Sequence, residues 1–141
     1  MRLNYLLSLL VLCCCFFPLR AEGIFAAFKG LYYCQSEKVY LTLDLDSASV
    51  QVPGMDFLGK VRGLLHGNIY GVWMVTGAQL QHGKVVVRFS NDSGADSQSV
   101  ELALKGDSLL QYKAINGNEI KRVEHRKLVK VPGKMDFMRL R

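Results

Sequence analysis

Past Cys34 the sequence contains no cysteine, and the other three, Cys13, Cys14 and Cys15, stand together in the first apolar stretch. Removal of that stretch leaves one thiol and no possible internal disulfide, so the folded part must be held by packing alone. Cys34 then reads as a small apolar residue of the first strand. A reactive or intermolecular thiol is the other reading, and no histidine or cation is fixed beside it. A second long apolar run is also missing. Charges or turn residues break every run after Leu19, which excludes a helix of roughly 20 residues spanning a bilayer from the mature chain. Helical periodicity is absent apart from one short turn over 22–29. Serine elbows, phosphate loops, dinucleotide glycine fingerprints and cysteine–histidine signatures are missing as well. His66, His82 and His125 have no zinc spacing. The expectation is a non-enzyme with no catalytic residues, no metal and no cofactor.

What the chain does contain begins with an export signal. Met1 and Arg2 precede an apolar stretch from Tyr5 to Leu19, closed by Arg20, Ala21, Glu22 and Gly23. This is a charged start, an apolar middle and a small-residue exit, so residues 1–21 are expected to be a cleaved signal peptide and the protein periplasmic or secreted. A lipoprotein would need a small residue before the modified cysteine, where Leu12 or another cysteine stands. Residues 22–141 are long enough for a single domain with one core.

From Lys38 the period is two. Val39, Leu41, Leu43 and Leu45 alternate with Tyr40, Thr42, Asp44 and Asp46, which marks a strand with one buried face and leaves the two aspartates on a solvated one. The pattern returns at Val85, Val87 and Phe89, at Val100, Leu102 and Leu104, and at Leu110 and Tyr112. Residues 69–75, with Tyr70 and Trp73, are apolar on both faces and predict a covered strand. Residues 28–34 predict the first strand, 57–65 a glycine-interrupted one, and 119–131 the last. Gly67-Asn68, Gln81-His82-Gly83, Gly106-Asp107 and Asn116-Gly117 mark turns between them. Turns this short join antiparallel neighbours.

The fold expected is therefore all-β: about eight antiparallel strands in an up-and-down meander, a small barrel favoured over a two-sheet sandwich. Closure removes sheet edges, and Gly59, Gly63, Gly71 and Gly77 fall where a curved sheet needs residues without side chains. Gly30-Leu31-Tyr32-Tyr33 is similar to the glycine and aromatic that open lipocalin first strands, with tyrosine replacing the tryptophan; one tetrapeptide assigns no family.

Residues 50–57, Val-Gln-Val-Pro-Gly-Met-Asp-Phe, recur at 129–137 with one inserted lysine, Lys134. Shared Pro-Gly turn chemistry at two strand exits accounts for the echo; a duplicated unit or paired surface in which Phe57 and Phe137 pack equivalently is the other reading. The loop 91–97 carries oxygen ligands without the ordered series of an EF-hand, and Asn91-Asp92-Ser93 is a glycosylation sequon.

Charge is concentrated. Without Arg2 and Arg20, 16 of the 18 lysines and arginines face 12 carboxylates, a net of +4. The basic C-terminal segment 121–141 has eight cations against Glu124 and Asp136, or +6, leaving the rest at −2. That segment reads as a charged edge strand or as a site for an anionic surface or partner protein through Lys127, Lys130, Lys134, Arg139 and Arg141; nucleic acid is not expected for an exported chain. The leading functional expectation is a binding domain for a small apolar or amphipathic ligand, inside the barrel or at its mouth, with Trp73, Tyr32, Tyr70, Tyr112 and Phe57 as contacts. The alternative is an envelope or extracellular interaction module docking through the basic segment.

Overall fold

The computed structural model describes residues 23–141. The signal-peptide reading concerns residues 1–21 and lies outside them.

Twelve strands follow a 3-10 turn at Ala26–Phe28: β1 (Gly30–Cys34), β2 (Val39–Leu43), β3 (Val50–Gln51), β4 (Lys60–Val61), β5 (Gly63–Gly67), β6 (Trp73–Gln81), β7 (Lys84–Asn91), β8 (Ser97–Lys105), β9 (Leu109–Gly117), β10 (Lys121–Glu124), β11 (Lys127–Lys130) and β12 (Lys134–Arg139). Eight of them close a barrel in the order β1-β12-β9-β8-β7-β6-β5-β2, every neighbour antiparallel. The expected up-and-down barrel is thus the fold, and the two-sheet sandwich is not. The small sheets β3–β4 and β10–β11 are excursions from this meander. The first leaves the end of the barrel where β1 begins, here the base; the second leaves the opposite end, the mouth.

Period-two alternation explains the core. Val85, Val87 and Phe89 of β7, Val100 and Leu102 of β8, Leu110 and Tyr112 of β9, and Met135 and Phe137 of β12 all point inward and are buried. Tyr32, Leu41, Leu65 and Trp73 complete this packing, and each fully buried large apolar side chain contributes about 1.5–3 kcal/mol. Gly63 makes room for it, since a Cβ there would lie 2.6 Å from Val75 Cγ2. Gly77 marks the register shift between β6 and β7 that bends the wall. Gly59 and Gly71 lie in turns instead.

Several boundaries differ from the sequence reading, each for a physical reason. Phe57 is not in a strand; Asp56–Leu58 form a 3-10 turn at the apex of the β3–β4 flap. The strand expected over 69–75 begins only at Trp73 and continues to Gln81, because β6 pairs with β7 all the way to Gln81 opposite Lys84, while its second half, past the register shift between Val75 and Gly77, is half-buried or exposed. Residues 119–131 are not the last strand but a hairpin turning at His125 and Arg126; the closing strand is β12, after the second Pro-Gly. Strand β2 stops at Leu43, and Asp44 is buried rather than solvated, accepting a 2.5 Å hydrogen bond from Ser49 Oγ beside Lys29 at 3.7 Å. The Asn116-Gly117 pair ends β9 rather than forming a tight hairpin.

The echo resolves into shared exits with different outcomes. Val52 and Val131 are both buried immediately before proline. After them Gly54 takes φ +72° and leads into the 3-10 turn, whereas Gly133 keeps a negative-φ backbone and leads into β12. Phe57 is consequently 83% exposed while Phe137 is fully buried, so the two phenylalanines do not pack equivalently.

Candidate functional site

The barrel closes at its base through one arginine. Arg139, last in β12, donates to Asp107 O at 2.9 Å, to Ala27 O at 2.5 Å and to the Tyr32 hydroxyl at 2.6 Å, with its guanidinium 5.1 Å from the Tyr32 ring centroid. The Tyr32 hydroxyl in turn donates a hydrogen bond to Phe28 O at 2.8 Å. Burial raises the Tyr32 pKa, and the arginine beside it only partly offsets that, so the phenol stays a neutral donor. Tyr32 and Arg139, named from sequence as ligand and anion contacts respectively, are spent on each other here.

At the mouth the β10–β11 hairpin folds over the opening. Its roots are backbone bonds: Tyr70 N to Lys121 O at 2.6 Å, Val131 N to Ile120 O at 2.9 Å and Ala114 N to Gly133 O at 2.7 Å. Arg122, buried on the hairpin, forms an ion pair with Glu37 of the β1–β2 turn. Two cavities lie beneath and beside this cover. One, of about 610 Å3, runs between the hairpin and the β7–β8 loop; Tyr70, Trp73 and Leu128 give it apolar surface, and Asp92, Asp96, Glu119 and Lys121 give it charge. Trp73 is nearly buried and donates its indole N–H to Tyr70 O at 3.3 Å, while the Tyr70 ring is 64% exposed. The second, of about 370 Å3, is walled by Ala114, Ile120, Val131 and Met135, with Tyr112 and Gln98 at the barrel side. There the Tyr112 hydroxyl donates to Gln98 Oε1 at 3.0 Å, and burial drives the phenol pKa well above its ordinary value. A lysine pair with a carboxylate, Lys130 to Glu119 at 3.0 Å, stands at the rim of this cavity.

No family model matches the sequence, and no curated protein or solved structure matches it either.

Of the five aromatic residues singled out from the sequence, Tyr70, Trp73 and Tyr112 thus gather at the mouth; Tyr32 sits at the base and Phe57 on the flap. The basic residues are dispersed. Lys127 and Lys130 are on the hairpin, Lys134 starts β12 on the outer wall, Arg139 is engaged at the base, and Arg141 lies beside Gly30 at the same end. The 121–141 segment is therefore not one continuous edge: its first half covers the mouth and its second closes the barrel. Gln98, Ala114, Ile120 and Val131 were not singled out. Gln98 had a usable signal, since it occupies the inward position of the alternation that continues through Val100 and Leu102, where a polar residue must find a partner. The loop 91–97 satisfies itself: Asn91 Oδ1 accepts from Asp96 N at 3.2 Å and from Ser93 Oγ at 3.1 Å.

Proposed function

We propose that this protein is a non-enzymatic binding domain that takes a small amphipathic ligand at the barrel mouth, under the β10–β11 hairpin, and not in the barrel interior. The observation that carries this reading is the pair of cavities between hairpin and mouth, which combine aromatic and aliphatic walls with a few polar groups, the composition of a ligand site. An eight-stranded barrel is just wide enough either to fill itself or to hold one small molecule. Here Tyr32, Phe89, Phe137 and the surrounding leucines and valines fill it, which leaves the mouth. Tyr70 and Leu128 offer apolar contact at the opening, and the charged rim would orient a polar head.

Native mass spectrometry of the protein purified gently from its own host, before and after denaturation, is the test. Release of a small molecule on unfolding, together with loss of that molecule from a Tyr70→Ala, Leu128→Ala variant of unchanged melting temperature, supports the assignment. A bare chain that also fails to take up a hydrophobic dye removes it.

A further inference from the structure

The β10–β11 hairpin has a second property, carried by its exposed face, which shares Leu128, Lys121 and Lys130 with the rims of the cavities below it. In its register Val123 opposes Leu128, and Lys121 opposes Lys130, so these four side chains share one face. Val123 is 56% and Leu128 54% exposed, an unusual state for two facing aliphatic residues. Cations surround them: Lys121 and Lys130 behind, Arg126 at the tip and Lys127 on the other face. Among the described residues Lys121, Arg126 and Lys127 have no carboxylate within ion-pair distance, while Glu119 is taken by Lys130 and Glu124 lies at 4.0 Å from Arg122. Asp92 and Asp96 stand across the cleft on the β7–β8 loop. The tip is a turn with positive φ at both His125 (48°) and Arg126 (66°), positions that glycine or asparagine would occupy most comfortably. An arginine is held there against its conformational preference.

We infer that this hairpin is a docking element for an anionic lipid surface, the Val123–Leu128 pair entering the headgroup region and Lys121, Arg126, Lys127 and Lys130 meeting lipid phosphates. The charge is complementary to such a surface, and its placement favours lipid over an acidic protein. Cations lie on both faces and at the tip, so they encircle the apolar pair and fit a plane of headgroups entered tip-first, whereas a partner groove would call for one charged face. An apolar pair flanked by cations is the combination that holds interfacial segments on anionic bilayers.

A Leu128→Trp variant of the whole protein reports on this directly, because the native Trp73 is nearly buried and supplies a constant background. On phosphatidylcholine vesicles containing phosphatidylglycerol, the introduced indole moves to shorter emission wavelength and is quenched by chain-brominated lipid; on phosphatidylcholine alone the response is much weaker, and raised salt reverses it. Adding Lys121→Gln, Lys127→Gln and Lys130→Gln lowers partitioning on the order of 100-fold. An indole that neither shifts nor is quenched on either vesicle overturns the proposal, as does a response indifferent to anionic lipid. These variants report on the hairpin's contact with lipid; occupancy of the mouth is decided separately, by native mass spectrometry of the unsubstituted protein.

Discussion

Single residues set the two ends of the barrel, and their loss should read out differently. Arg139 joins β12 to the 3-10 turn, to the β8–β9 turn and to Tyr32 through three acceptors. Its removal takes one of two hydrogen bonds from the Tyr32 hydroxyl, which keeps its bond to Phe28 O, and the stacked cation from its ring, so Arg139→Ala should cost about 2 kcal/mol in denaturant unfolding, and Arg139→Lys should recover only part, since an ammonium cannot both fork and stack. His66 acts through pH. It stacks on Tyr40 at 5.5 Å between ring centroids, and burial pulls its pKa below the ordinary 6.5. As pH falls through 6.5 the unfolded chain takes up this proton before the folded one does, so stability declines from there down toward the depressed folded pKa and is constant above 6.5 on this residue's account. Thermal melts between neutral and mildly acidic pH should show a drop that is smaller in His66→Gln. An equal drop in both proteins would assign the pH dependence to other groups.

At the scale of elements, the two excursions are the informative parts, and they differ in how they are attached. The β3–β4 flap lies against the outer wall, where Val50, Gln51 and Pro53 face Leu31, Thr42 and Leu64 across a groove. Val52 and Leu64 are buried yet belong to no part of the main core cluster. Val52→Ala should therefore loosen the flap locally, at a cost of about 2 kcal/mol, and speed tryptic cleavage at the exposed Lys60 while Trp73 fluorescence stays native. The equivalent experiment inside the barrel, Phe137→Ala, should cost about 3–5 kcal/mol and lower the global transition. The same contrast explains what could be read in the chain beforehand. Barrel strands such as β7 and β8 bury one face, so alternation announced them. The hairpin β10–β11 buries almost nothing except Arg122, and its residues show no alternation to read. Strand β12 does alternate, with Met135 and Phe137 inward, but it follows a Pro-Gly and sits among lysines, and composition masked it as a basic tail. At the site, aromatic content pointed to Tyr70, Trp73 and Tyr112; Ile120 and Val131 acquire their role only because the hairpin folds back over the mouth, a long-range event with no local signature.

The whole molecule is a closed sheet with two thin joins, β1–β12 and β5–β6, of which the first is reinforced by backbone bonds between Leu31 and residues 140–141 and by the Arg139 bonds to Ala27 O and Tyr32. Strands β5 and β6 pair only at Leu64 with Met74 and at Leu65 with Trp73, whereas β6 runs beside β7 from Trp73 opposite Asn91 to Gln81 opposite Lys84, and β8 beside β9 from Gln98 opposite Gly117 to Lys105 opposite Leu109. A cooperative barrel opens where fewest backbone bonds and least apolar burial must be given up. That place is the β5–β6 seam, where residues 77–81 of β6 have no ladder partner on the β5 side and are half-buried or exposed. Native-state hydrogen exchange should accordingly divide the sheet: amides of β7, β8 and β9 exchange only through global unfolding, while those on the seam side of β6 and in β5 exchange earlier through local opening. The mouth cavity that holds Trp73 borders this seam, so an occupant there would slow the β5–β6 amides selectively and leave β8–β9 unchanged. Uniform protection around all eight strands would mean that closure is equally strong everywhere and that the thin pairing at Leu64 and Leu65 carries no dynamic consequence.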